Sequence, residues 1–257
     1  MPRYMIPARV WVRLAADTIC NRRRSFSEDA VKIAASANPP VCFLNQQYIP
    51  TRGPGLITCN HYTSPGFFSA WIAVVISAAV HQAGATCEVC WVMTDAWTFS
   101  GRRLGKLYRG ISHVILSRIA RTYGFISMPP MPPAPEEVAK RASAVQRLMV
   151  HVRSHPTALI GLAPEGADHA GGILSLPPPG VGRLALELSR RGFMITPAGI
   201  YEDHNRLVVQ FGPPYRLALP SAVERHEADW LARRALMRAI AGCLPASLAG
   251  DFASEGD

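Results

Sequence analysis

The chain has 257 residues, of which 49% are hydrophobic and 18% charged: apolar enough to bury a full core, and too weakly charged for a disordered chain. Its net charge of +9 is carried mostly by arginine, which suits phosphate groups or anionic lipid headgroups. No nucleic-acid-binding signature accompanies that charge, so no nucleic-acid partner is expected.

Residues 4–20 alternate apolar and basic positions at helical spacing. Arg9, Arg13 and Asp17 share one face; Val12, Ala15, Ala16 and Ile19 share another; Arg22, Arg23 and Arg24 follow. Such a helix either lies on an anionic membrane or packs on the domain surface. No signal-peptide pattern accompanies this basic extension over residues 1–38. Residues 41–49 read as a strand, Arg52-Gly53-Pro54-Gly55 as a turn, and 56–59 as a short apolar strand with Asn60-His61 at its C-terminal end. A helix is expected to begin near Pro65 and Phe67. The apolar run 67–80 falls short of the ~20 residues that span a bilayer, so it reads as a core helix.

Further along, 89–93 is a strand and 101–123 is basic and partly helical. Five prolines bar a helix over 126–135. An amphipathic helix over 136–154 and a strand over 158–162 lead to Pro164-Glu165-Gly166. A helix over 181–190 and strands over 193–200 and 207–211 follow. Ser221 and Glu224 form a capping box for a C-terminal helix over 221–248. Strands alternating with helices imply an α/β fold, a mainly parallel sheet flanked by helices in one domain over 1–257. In such sheets ligands bind beyond the carboxyl ends of strands, where His61 lies.

The six cysteines form no regular framework, and read as reduced thiols of a cytoplasmic protein. Cys87 and Cys90 have metal-ligand spacing but no second pair, so no metal is expected. Arg102, Arg103, Lys106, Arg109, Arg118 and Arg121 form a basic stretch. It suits a phosphopantetheine carrier, coenzyme A or lipid headgroups, or is a solvated helical face.

Three segments occur in order: Gly53-Pro54-Gly55-Leu56-Ile57-Thr58-Cys59-Asn60-His61-Tyr62-Thr63-Ser64, Leu162-Ala163-Pro164-Glu165-Gly166 and Ile195-Thr196-Pro197-Ala198-Gly199-Ile200. Together, over about residues 40–215, they resemble the 1-acylglycerol-3-phosphate acyltransferase family. That family carries an Asn-His-x4-Asp motif, then Phe-Pro-Glu-Gly, then a "Pro-Val-Ala-Ile"-like strand. The resemblance implies acyl transfer from an acyl thioester, acyl-CoA or acyl carrier protein, to a hydroxyl of a lipid-like acceptor such as lysophosphatidate. No bound cofactor is implied. His61 matches the family's general base, and imidazole titrates near neutrality, as proton removal from a hydroxyl requires. Asn60, Ser64, Glu165, Gly166 and Gly180 match substrate-binding or site-shaping positions.

Several positions depart from the pattern. The motif aspartate, which would orient the histidine ring, falls on Gly66; Asp95 and Asp168 are the carboxylates that could substitute. The family's Thr-Arg-Ser after Glu-Gly is replaced by Ala167-Asp168-His169. A Gly-x5-Arg block starts at Gly124 but has no arginine. The resemblance implies an acyltransferase, with a non-catalytic lipid- or acyl-binding relative as the alternative, and with the basic N-terminal helix and Arg22 to Arg24 it leads us to expect a cytoplasmic protein peripheral on the inner face of an anionic membrane. An α/β hydrolase is not supported, because the chain has no Gly-x-Ser-x-Gly elbow.

Overall fold

The computed structural model of the chain describes residues 4–97, 105–130, 137–167, 170–219 and 223–253. Its helices are α1 (Ala8–Ile19), α2 (Phe26–Ala34), α3 (Ala70–Gln82), α4 (Gly105–Tyr123), α5 (Val138–Ser154), α6 (Val181–Arg190), α7 (Arg225–Ala241) and α8 (Ala246–Ala249). Its strands are β1 (Cys42–Leu44), β2 (Gly55–Cys59), β3 (Val89–Thr94), β4 (Ile126–Met128), β5 (Leu159–Leu162), β6 (Met194–Asp203) and β7 (Arg206–Phe211). Among the described residues these strands form one sheet, ordered β1-β7-β6-β2-β5-β3-β4. Every pair is parallel except β6 and β7. Those two form a hairpin through His204 and Asn205, both left-handed (φ 46° and 59°), as a two-residue turn between twisted strands requires.

Strand β2 is buried at all five residues. Leu56 packs with Ile160 and Leu188 under α5, α6 and α7, while Ile57 and Cys59 pack with Trp71 and Val75 on the side of α2 and α3. Burial on both faces is why these strands read as continuous apolar runs. In β5 the absence of a Cβ at Gly161 makes room for the Trp91 ring, which would lie 2.5 Å from an added Cβ. The Trp91 indole N–H donates to Ser77 Oγ at 2.9 Å, joining β3 to α3.

Several elements differ from the expectations above. The strand expected over 41–49 is three residues long, because Asn45 turns left-handed and a 3-10 helix follows over Gln46–Tyr48. The proline-rich stretch opens with strand β4, paired to β3. Helix α2 was not expected; the Ser25 side chain caps it by accepting the Glu28 N–H at 3.1 Å, with Glu28 and Asp29 in the first turn. The core helix α3 starts at Ala70 rather than near Pro65. The expected C-terminal helix over 221–248 is two helices, broken at Pro245. Ser221 lies outside the described residues, and α7 begins at Arg225.

Helix α1 buries Val10, but its expected apolar face points outward: Val12 is 68% and Ile19 74% exposed. Arg24 does not join Arg22 and Arg23 on the surface. It pairs with the buried Asp29 through Nε and through Nη2 (2.6 Å), and with Asp17 through Nη1 (2.8 Å). Tyr123 of α4 donates its hydroxyl to the same Asp29 at 2.9 Å, so the cluster ties α1 and α2 to α4.

Candidate active site

Strands β2 and β5 are neighbours, with Thr58 paired to Leu162. His61 and Glu165 each lie three residues past that pair, so the register brings together two residues about a hundred apart in sequence. The His61 backbone N–H donates to Glu165 Oε2 at 2.8 Å, and the Ser175 backbone N–H donates to Oε1 at 2.9 Å. Glu165 is 5% exposed. Its carboxylate thus holds the main chain of the His61 loop and that of the segment after the Glu-Gly turn. Gly166, at φ 71°, closes the turn, its N–H donating to the Ala163 carbonyl at 3.2 Å. A left-handed residue there favours glycine.

Asn60 is fully buried and extends the sheet with its side chain. Its amide donates to the Ile200 carbonyl at 2.8 Å and accepts the Ile200 N–H at 2.8 Å. These bonds continue the β2–β6 pairing past Cys59 and Ala198. The carboxyl ends of β6, β2 and β5 are therefore locked side by side around His61.

On the other side of the loop, the Ser64 hydroxyl donates to Glu202 Oε1 at 3.1 Å, and the Tyr4 hydroxyl donates to the same oxygen. Tyr4 packs edge-on to Phe67 (5.0 Å) and against Trp71 (5.4 Å), and Phe67 meets Tyr62 at 5.4 Å. Burial first, and then the Glu202 charge, push the Tyr62 phenol above its ordinary pKa. Sequence reasoning missed Glu202, Tyr62 and Tyr4. Nothing local marks them, because the β6 strand end and the N-terminal segment reach the loop only once the sheet has formed.

Gly66 lies in the turn before α3, exposed, at φ 81°, with nothing within 4 Å of an added Cβ. The motif position is thus not on the helix. The backbone N–H of Asp95 donates to the Met128 carbonyl at 2.9 Å, and its carboxylate lies 3.6 Å from Nδ1 of His113 in α4. Asp168 lies outside the described residues. Gly180, at φ 97°, donates its N–H to both oxygens of Asp229 (3.1 and 3.0 Å), as does Arg183 to one of them (2.9 Å). An internal carboxylate thus occupies the positive N-terminus of α6, backed by an ion pair to Arg233 at 3.1 Å.

Of the basic stretch, Arg102 and Arg103 lie outside the described residues, Arg109 pairs with Glu137, and Arg118 and Arg121 are exposed on α4. Cys90 lies within β3, where burial raises its thiol to about 11; burial raises Cys243 to about 11 as well.

A histidine beyond a central strand and a buried glutamate beyond its neighbour lie where ligand sites of α/β folds usually sit, past the carboxyl ends of strands. The family model described as Acyltransferase matches residues 40–201. That is more than half of the chain, and the chain belongs to this family. No curated protein matches it. Among solved structures it is similar to the 1-acyl-sn-glycerophosphate (LPA) acyltransferase PlsC of Thermotoga maritima, at 11% identity and a TM-score of 0.46, over 84% of this chain and 75% of that one.

Proposed function

We propose that this protein transfers an acyl group from a thioester, acyl-CoA or acyl carrier protein, to a hydroxyl of a lipid-like acceptor such as lysophosphatidate. The observation that carries the reading is the fixed placement of His61 beyond β2 by the Glu165 carboxylate, within the family match. The His61 imidazole removes the hydroxyl proton as the oxygen attacks the thioester carbonyl. The C–S bond then breaks, and the imidazolium returns the proton to the departing thiolate. Asp95 or Asp168 orients the ring, the role Gly66 cannot fill. The test measures acyl transfer for the parent, His61→Ala, Asp95→Asn and Asp168→Asn. We expect loss in His61→Ala and in one of the two aspartate variants. Full activity in His61→Ala overturns the mechanism. The vacant carboxylate position at Gly66 favours a second reading, a non-catalytic lipid- or acyl-binding relative. A parent inactive with every donor and acceptor tried, yet still binding acyl chains, supports it.

The proposal includes peripheral attachment to the inner, cytoplasmic face of the membrane. No helix among the described residues is long and apolar enough to cross a bilayer, but two present apolar faces outward. In α1, Trp11, Val12 and Ile19 are exposed with Arg9 and Arg13 alongside; in α4, Leu107, Ile111 and Val114 are exposed ahead of Arg118 and Arg121. Apolar side chains beside arginines suit an anionic interface. Co-sedimentation with anionic vesicles should fall as salt rises past ~0.1 M. Equal binding to neutral vesicles removes the electrostatic part, and absence of binding removes the membrane reading.

A further inference from the structure

Strand β6 outruns its neighbour. Its pairing with β2 ends at Cys59 and Ala198, but β6 continues to Asp203, held along its other edge by β7, where Glu202 pairs with Leu207. At the usual rise of a strand, Glu202 stands roughly 13 Å beyond the last β2 pair. Ala198 and Ile200 belong to the same core cluster as Tyr62 and Trp71, and alternation along the strand turns Glu202 to their side of the sheet. The overhang thus forms a hydrogen-bonded edge beside residues 60–69, which link β2 to α3 with neither helix nor strand.

Glu202 ties that link near its middle. Its Oε1 accepts the Ser64 hydroxyl at 3.1 Å and the Tyr4 hydroxyl as well. Burial first, and then the bond to Glu202, raise the Tyr4 phenol above its ordinary pKa, so it remains a donor. Among the described residues no arginine or lysine pairs with Glu202. This carboxylate therefore orders hydroxyl groups rather than closing an ion pair. Ser64 lies three residues after His61, whose N–H is held by Glu165 at 2.8 Å. The Phe67 N–H donates to the Ser64 carbonyl at 3.0 Å, which extends the hold toward α3. Two carboxylates from different strand ends thus grip the loop on opposite sides of the histidine. Release of either leaves the imidazole free to drift, and a misplacement of about 1 Å can cost about a hundredfold in rate.

We propose that Glu202 is a positioning residue: through Ser64 it fixes the far side of the loop whose near side Glu165 holds, and so fixes where His61 stands. The inference rests on the acyl-transfer reading for the role of His61, but the hold on the loop is measurable without it.

The variants of the full chain are Glu202→Ala, Glu202→Gln, Ser64→Ala, the double variant Glu202→Ala/Ser64→Ala, and Asp203→Asn as a control at the exposed hairpin end. Steady-state transfer is measured with a long-chain acyl-CoA and lysophosphatidate. We expect Ser64→Ala and Glu202→Ala each to lower kcat about tenfold, the scale of one hydrogen bond to a charged group, with KM close to that of the parent. Glu202→Gln keeps an oxygen that accepts the Ser64 hydroxyl, and should fall between alanine and the parent. The double variant should lose no more than Glu202→Ala, as the two ends of one contact do. Asp203→Asn should match the parent. A raised KM at unchanged kcat, losses that multiply in the double variant, or a glutamine no better than alanine overturns the proposal. Ser64→Ala removes a single oxygen and decides the matter should Glu202→Ala fail to fold. Amide hydrogen exchange of peptides covering 61–69 is the second measurement. It should quicken about tenfold in Ser64→Ala while peptides of α7 exchange as in the parent; unchanged exchange in the loop overturns the proposal. A parent without transfer activity removes the acyl-transfer reading, and the exchange then judges the hold of Glu202 on the loop.

Discussion

Replacing Glu165 with glutamine preserves shape but removes one of two acceptors. In the parent, Oε2 takes the His61 N–H at 2.8 Å and Oε1 takes the Ser175 N–H at 2.9 Å, at a position 5% exposed. Glutamine offers one oxygen and an NH2 group. Whichever way the amide turns, one backbone N–H faces another donor. The lost charge-assisted bond costs about 2 kcal/mol, and making the surviving bond neutral costs about 1 kcal/mol more. A loss of ~3 kcal/mol lowers the melting temperature of a chain this size by about 10 °C. Where the amide turns so that the freed N–H is that of His61, transfer should fall more than stability at 25 °C implies, through displacement of the imidazole. Calorimetric melting and initial acyl-transfer rates are the assays, with Glu165→Asp as companion; its shorter reach should lose one of the two contacts as well. A Glu165→Gln variant melting within about 2 °C of the parent, under ~1 kcal/mol, refutes the idea that this carboxylate pins the loop.

Three other perturbations have defined outcomes. Arg24→Ala strands the Asp29 carboxylate, 1% exposed, and should cost about 3–5 kcal/mol in denaturant unfolding, as breaking a buried ion pair does; Arg22→Ala, at the exposed neighbour, should cost almost nothing. Gly161→Ala drives a methyl into the Trp91 ring and should cost about 1–3 kcal/mol, with a shift in tryptophan emission on the same titration. Cys90 and Cys243, each raised to about 11, should resist iodoacetamide at pH 8, where about one thiol in a thousand is ionised; exposed Cys20 should be alkylated first in a mass-spectrometric time course.

Much of the architecture was legible because strands buried on both faces leave uninterrupted apolar runs. The 181–190 expectation coincides with α6, and the strand at 56–59 falls within β2. What misled was local. Asn45 ends β1 early by turning left-handed, and the prolines after 128 hid a strand that stops just before them. The His61–Glu165 proximity follows from adjacent strands in register, a relation the motif order hints at and the sheet order fixes. Asn60's pair of hydrogen bonds to the Ile200 main chain and Glu202's hold on Ser64 were not legible, since each joins residues more than a hundred apart through strands whose adjacency no local pattern announces. For α1, periodicity gave two faces but not which one faces water; exposure of Val12 and Ile19 supplies that.

Tyr4 stands four residues before the outward-facing helix α1, yet its hydroxyl reaches Glu202, and its ring packs on Phe67 and Trp71. The segment that leads into α1 is therefore also packed against the loop that carries Ser64 and Phe67. Trimming the chain from its start strips a partner from the carboxylate that holds Ser64. An inactive truncation would therefore report a damaged loop as much as the loss of the proposed membrane contact. Point changes on the outer face, such as Val12→Glu or Ile19→Glu, leave Tyr4 in place and test the proposed membrane contact alone.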